Sequence, residues 1–171
     1  MMDLNDPKSS NISNQLRDAV LFVAMECKLL EDDWWIIGST AALLSGLPHI
    51  EPRDVDLLVS ARDARRLFAR WKVRPVTPAS SSLFRSVFGV HCIGNVDIEI
   101  MGDLEVRTNG IWSSLKPKSR ELTQTDAGQL FIPARDEQIS ILRLFGRPKD
   151  LLRARALEMI QQLPGTLHGT A

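Results

Sequence analysis

The stretch of residues 34–60, WWIIGSTAALLSGLPHIEPRDVDLLVS, decides how this chain folds. It begins with a short apolar run, breaks at a Gly-Ser-Thr triplet, continues with helix-forming residues, and ends with Asp54 and Asp56 inside a second apolar run. This order predicts a strand, a tight turn leading into a helix, and a second strand. Backbone N–H groups in such a turn, together with the helix start, are suited to hold a phosphate. The candidate phosphate-binding residues are Gly38, Ser39 and Thr40.

Asp54 and Asp56 are separated by one residue, so on a strand their side chains point to the same face. Two neighbouring carboxylates repel each other, which raises a pKa unless a cation lies between them. Mg²⁺ removes this cost and prefers oxygen ligands, commonly one or two carboxylates plus substrate phosphates. The stretch therefore predicts a magnesium site beside a phosphate-binding turn, which is a coherent site for nucleotide chemistry.

A second acidic strand is predicted in the sequence VDIEIM at residues 96–101, which follows the tight-turn dipeptide Gly94-Asn95. Asp97 and Glu99 lie on one face of this strand by alternation, and the apolar residues lie on the other. Either carboxylate is a candidate third member of the acidic site, and alternation does not choose between them.

Composition indicates one domain of 171 residues with a sizeable core, since 44% of the residues are apolar. No apolar run is as long as a membrane span requires, and residues 1–13 lack the pattern of a secretion signal, so a cytoplasmic location is expected. Basic and acidic residues are equal at 21 each, which makes nucleic acid unlikely as the main ligand. Cys27 and Cys92 have no metal-ligand spacing and are predicted to be core residues.

Apolar periodicity predicts an α/β (α+β) fold: a small, mixed, mostly antiparallel sheet with helices packed on one side and a short C-terminal helical part. Residues 1–13 are expected to be a flexible lead, 14–133 the main domain, 134–163 C-terminal helices packed on that domain, and 164–171 a frayed tail. The predicted helices are residues 14–31, 39–44, 62–71, 135–145 and 149–163, and the predicted strands are 34–37, 55–59, 83–93, 96–101 and 129–133. Residues 102–128 are expected to hold one more short strand and much loop.

The order of a strand, Gly38 and Ser39, a short helix, Asp54 and Asp56 in an apolar strand, and a later acidic strand resembles the nucleotidyltransferase superfamily related to DNA polymerase beta. The resemblance covers about residues 34–101 and extends to the C-terminal helices, where LFIPARDEQISILRLFGRPKDLLRA is similar to the end of small prokaryotic members. The loop between Ser39 and Asp54 is near the long end of what the family uses.

The resemblance implies an Mg²⁺-dependent enzyme that transfers a nucleoside monophosphate from a nucleoside triphosphate to an acceptor hydroxyl and releases pyrophosphate. Asp54 and Asp56 would bind Mg²⁺. The third carboxylate would be Glu99, with Asp97 as the second choice. Gly38 and Ser39 would hold the triphosphate.

Several interpretations stay open beside this one. The acceptor is unknown and is a small molecule, a protein or an RNA end. Arg53, next to the acidic pair, binds a phosphate or only neutralises Asp54. Lys149 and Asp150 contact a nucleotide or a partner, or Asp150 only interacts favourably with the dipole at the start of a helix. The alternative function is a catalytically silent binding or regulatory protein on the same scaffold, similar to an antitoxin, with a protein partner.

Overall fold

The computed structural model describes residues 13–76 and 83–162. The predicted tail at 164–171, nearly all of the predicted lead, and residues 77–82 lie outside the described residues. The elements in chain order are α1 (Asn14–Glu26), β1 (Trp35–Ile37), α2 (Gly38–Leu44), β2 (Asp54–Val59), α3 (Ala61–Trp71), β3 (Phe84–Ile93), β4 (Val96–Thr108), β5 (Ile111–Ser114), β6 (Glu121–Gln124), β7 (Gln129–Ile132), α4 (Arg135–Phe145) and α5 (Pro148–Gln162).

The main sheet has the strand order β1-β2-β4-β3, and β5 pairs with the end of β4. Strand β2 runs parallel to β4, whereas the pairs β1–β2, β3–β4 and β4–β5 are antiparallel. The predicted small, mixed and mostly antiparallel sheet is confirmed. Strands β6 and β7 form a separate two-stranded sheet. Strand β7 was expected, and the segment in which one more short strand was expected holds two, β5 and β6.

One face of the main sheet is covered by α1 and α3. The apolar stripe of α1 packs on this face, and the helix begins where the Ser13 hydroxyl accepts a hydrogen bond from the Leu16 N–H. The helix ends at Glu26, earlier than predicted, and a 3-10 turn at Cys27–Leu29 follows it. The core on this face includes Val20, Val23, Ile36, Val55, Leu57, Leu67, Phe68, Ile98 and Ile100.

Strand β4 is longer than the predicted 96–101 because it passes through a β-bulge. Val87 pairs with Gly102 and Arg85 pairs with Glu105, so two residues of β4 oppose one residue of β3. Asp103 in the bulge has a left-handed backbone with φ of 49°. The extra residue reverses the alternation, so that the apolar side chains after the bulge lie on the same face as the acidic side chains before it.

The second face of the sheet carries a smaller core to which α4 contributes. Ile141 and Phe145 of this helix pack there against Trp35, Ile37, Leu58, Leu104 and Val106. Helix α4 thus reaches the face opposite α1 and α3. Buried side chains of α2, α4 and α5 also pack together in a third cluster, which includes Ala42, Ile139, Leu142, Ala154 and Leu157. None of the helices in the described ranges is both long enough and apolar enough to cross a membrane.

Candidate active site

Four carboxylates lie on one face of the sheet because of the register between β2 and β4. In this parallel pair, Asp54 lies beside Asp97 and Asp56 lies beside Glu99. Successive side chains alternate between faces, so the two acidic pairs share a face while Val55 and Ile98 enter the core on the other. The structure therefore brings together the two acidic motifs that the sequence predicted separately.

Gly38 brings the start of α2 against the Asp56 carboxylate. Strand β1 pairs antiparallel with β2 so that Ile37 lies opposite Asp56, and the chain turns into α2 at the next residue. Gly38 has φ of +70°, and a Cβ atom built on it would lie 2.1 Å from Asp56 Oδ2. Both the backbone conformation and the close approach require glycine at this position.

The carboxylates disfavour one another's charge. The pKa of Asp56 is raised to about 7, first by burial and then by the negative charges of Asp54 and Glu99, while Arg147 and Lys149 oppose the shift. The pKa of Glu99 is raised in the same way, first by burial and then by Asp54 and by Asp97. Without a bound cation, this face therefore carries uncompensated negative charge above neutral pH.

The raised pKa of Asp56 predicts how stability depends on pH. The folded state holds the proton more tightly than the unfolded state, so the contribution of Asp56 is complete below pH about 4 and is lost as the pH rises to about 7. In a chelator, Asp56→Asn should therefore become more stable relative to the wild type by about 3 kcal/mol between pH 5 and 8. Urea unfolding at each pH measures the difference, and parallel profiles of the two proteins would contradict it.

Glu99 and Asp97 occupy different environments although they share a face. Glu99 is half-buried and lines a cavity together with Asp56. Asp97 is exposed, and its Oδ1 accepts a hydrogen bond from Cys92 Sγ at 2.8 Å, which raises the pKa of the Cys92 thiol. Cys92 is exposed too, so the expectation that it is a core residue was wrong, whereas Cys27 is buried as expected.

The predicted phosphate-binding residues do not all face the site. Thr40 is fully buried, and its hydroxyl donates to the main-chain oxygen of Asp54 at 2.7 Å, so it fastens α2 to β2. The Ser39 hydroxyl is buried and lies 3.5 Å from Asp54 Oδ1. Arg53 is exposed and lines a different groove, beside His49. Of the four predicted nucleotide-binding residues, Gly38 and Ser39 thus adjoin the acidic face.

The cavity beside Asp56 and Glu99 has a volume of about 210 Å³, and one of its lining residues is Arg147. Arg147 lies between α4 and α5, where its guanidinium pairs with the buried Asp150 through contacts of 2.5 and 3.1 Å. The guanidinium also lies over the ring of Phe84, 5.2 Å from its centroid. The sequence analysis missed Arg147, although Gly146 and Pro148 around it did indicate a sharp turn between two helices.

The donor set at this face consists of carboxylate oxygens, which bear on whether it could hold a metal ion. Within the described residues, no group of three His, Cys, Asp or Glu side chains is arranged so that it would hold a metal ion together. The chemistry of the set nevertheless fits a hard divalent cation, because all the donors are carboxylate oxygens, and burial together with the charges of Asp54 and Glu99 raises the pKa of Asp56. The predicted magnesium ligands Asp54, Asp56 and Glu99 remain a prediction.

Comparison with known proteins gives agreement in structure and none in sequence. No protein-family model and no curated protein matches this chain. A protein of Thermotoga maritima assigned to the nucleotidyltransferases is similar to it with a TM-score of 0.66 and 21% identity, over 84% of this chain and 91% of that one.

Two further solved structures share the architecture. The lincosamide antibiotic adenylyltransferase LnuA, solved with lincomycin bound, has a TM-score of 0.55 and 12% identity, over 88% of this chain and 99% of that one. An antigenic nucleotidyltransferase-like protein from Paracoccidioides brasiliensis has a TM-score of 0.54 and 16% identity, over 86% and 77%. All three solved structures share the fold of this chain.

Proposed function

We propose that this chain, which has the nucleotidyltransferase fold, transfers a nucleoside monophosphate from a nucleoside triphosphate to an acceptor hydroxyl and releases pyrophosphate. One observation carries the proposal: the register of β2 on β4 sets Asp54 and Asp56 beside Asp97 and Glu99, with Gly38 against Asp56. A glycine turn beside clustered carboxylates suits metal-assisted phosphoryl chemistry.

In this proposal Asp54, Asp56 and Glu99 hold Mg²⁺. When bound, the ion supplies positive charge that neutralises the carboxylates and the triphosphate and stabilises the departing oxygen. The backbone at Gly38 and Ser39 holds the triphosphate. Lys149 is exposed and forms no ion pair in the part of the chain that the structure describes, while its charge acts on Asp56 and Glu99. It is therefore available to a phosphate oxygen.

A residue of the chain then accepts the proton that the acceptor hydroxyl loses. The acceptor oxygen attacks the α-phosphorus, the bond between that phosphorus and the bridging oxygen breaks, and the electron pair leaves with pyrophosphate. The hydroxyl proton passes to the Glu99 carboxylate, which is half-buried and lines the cavity beside Asp56.

Two measurements on the wild-type protein test this function. Calorimetry with each of the four common nucleoside triphosphates should show binding that requires Mg²⁺ and disappears in a chelator. Incubation with α-labelled triphosphate, Mg²⁺ and cell extract should give a labelled product. Absence of both refutes the proposal, whereas binding without a product, together with a co-purifying protein, favours the catalytically silent alternative.

The choice between the two candidate third carboxylates is a separate prediction. Glu99→Gln should lower transfer by about a hundredfold or more, because the cavity-lining carboxylate is lost, whereas Asp97→Asn should lower it by less than about fivefold. Each variant removes one negative charge from the same strand face, so each is the matched control of the other. Initial rates at saturating Mg²⁺ measure both, and a larger loss in Asp97→Asn would assign the role to Asp97.

A further inference from the structure

We infer that the cavity beside Glu99 is the acceptor pocket, and that it takes a compact molecule whose hydroxyl group is attached to an aromatic or aliphatic body. The inference rests on the proposed function, since an acceptor is required only if transfer takes place. It narrows the acceptor from any hydroxyl compound to one chemical class.

The wall of the cavity is mostly apolar. Burying a hydroxyl against such a wall without a hydrogen-bonding partner is costly, so a sugar or another polyol would lose more than it gained. An aromatic or aliphatic body would instead remove apolar surface from water. The apolar lining residues are Ile37, Phe84, Phe88, Met101, Leu104 and Phe145.

The two carboxylates fix where the hydroxyl would point. Asp56 and Glu99 are the acidic groups of the lining, so a single hydroxyl placed among apolar contacts finds its acceptor for a hydrogen bond there. The volume of about 210 Å³ is below the usual range of roughly 300–1,000 Å³ for drug-sized ligands, which favours a compact body.

The charges of the cavity disfavour the end of a nucleic acid. Arg85 and Arg147 line it, and both are already paired: Arg85 with Glu105 through two contacts, one of 2.8 Å, and Arg147 with Asp150. Arg85 also lies over the Trp112 ring, 4.6 Å from its centroid. Binding a chain of phosphodiesters requires cations that are free to contact phosphates.

The test uses benzyl alcohol as the probe, with glycerol and a short single-stranded RNA as comparison compounds. Ligand-observed NMR titration of the full chain in Mg²⁺ gives their dissociation constants. Ser86 also lines the cavity, and Ser86→Trp would fill the space without removing an apolar contact. Ser113→Trp, on the exposed strand β5, is the matched control. Met101→Gln keeps the volume but makes the wall more polar, and it serves if Ser86→Trp does not fold.

The expected result is that benzyl alcohol binds the wild type and Ser113→Trp equally, and binds Ser86→Trp or Met101→Gln at least tenfold more weakly. Glycerol should not bind. Stronger binding of the RNA, equal binding of benzyl alcohol to all variants, or its displacement by the nucleoside triphosphate would overturn the inference. If benzyl alcohol behaves as expected but no triphosphate binds the wild type, the proposed function fails while the ligand class of the cavity stands.

Discussion

Replacing Asp56 with asparagine is expected to lower the rate of nucleotidyl transfer by about a thousandfold or more. The negative charges of Asp54 and Glu99 both act on Asp56, and Asp56 Oδ2 lies against the turn at Gly38. An amide keeps the shape of the side chain but removes the negative charge, so a divalent cation loses several kcal/mol of attraction in a partly buried place. The folded protein itself should be as stable as the wild type, or more so, above pH 7.

The measurement is the initial rate of label transfer at saturating triphosphate, together with a melting curve of each protein. Asp103→Asn is the matched control, because Asp103 is exposed in the same sheet and asparagine tolerates its left-handed backbone. The control should keep its activity within about twofold. Retention of more than about a tenth of the wild-type rate by Asp56→Asn would show that Asp56 is not a metal ligand in the reaction.

The second large effect is expected from Gly38→Ala. The added Cβ would meet Asp56 Oδ2 at 2.1 Å, so either the Asp56 carboxylate or the start of α2 must move. The left-handed backbone at φ of +70° adds a strain of about 1–2 kcal/mol for any residue with a Cβ. We expect a loss of stability of about 2–4 kcal/mol and a loss of transfer activity of at least about a hundredfold.

Gly94→Ala separates the two causes. Gly94 has φ of +60°, but no heavy atom lies within 4 Å of a Cβ built on it, so this variant carries the backbone strain without the contact. It should lose about 1 kcal/mol in urea unfolding and keep its transfer rate. If Gly38→Ala and Gly94→Ala lose the same stability and both keep their activity, the contact with Asp56 is unimportant for the site.

The sequence was sufficient to predict the main elements because their signals are local. The apolar run at residues 34–37 and the alternation at Asp54 to Asp56 are typical of strands, and the stripe of α1 has helical periodicity. The shared face of Asp54 and Asp56, and of Asp97 and Glu99, follows from alternation alone. That the two acidic pairs meet depends on the parallel register of β2 on β4, which local sequence patterns do not determine. The resemblance implied only that a carboxylate of the second acidic strand joins Asp54 and Asp56.

The bulge at Asp103 could not be predicted from alternation, because a single inserted residue reverses the pattern without changing its composition. Before the bulge, apolar residues such as Ile98 point to the helix-covered face, and after it Leu104 and Val106 point to the acidic one. Period-two reasoning carried past Met101 therefore assigns the later residues to the wrong side. The apolar wall of the cavity arises partly from this reversal.

Residues that reach the site from afar were also beyond local reasoning. Arg147 comes to the cavity through the packing of α4 on the second face, more than forty residues after Glu99. Thr40 and Arg53 were predicted to bind nucleotide because they are close in sequence to the motifs. The structure places the first in the core and the second along another groove.

The parallel pairing of β2 with β4 also has a consequence for how the protein reaches its folded state. The hairpin of β3 and β4 joins segments that are adjacent in the chain, whereas β2 and β4 meet only across α3 and β3. Pairings of that kind close long loops and form later than local hairpins. The two acidic motifs therefore become neighbours only when the centre of the sheet closes, so a partly folded chain holds each motif but not their combination, and ligand binding reports completed folding.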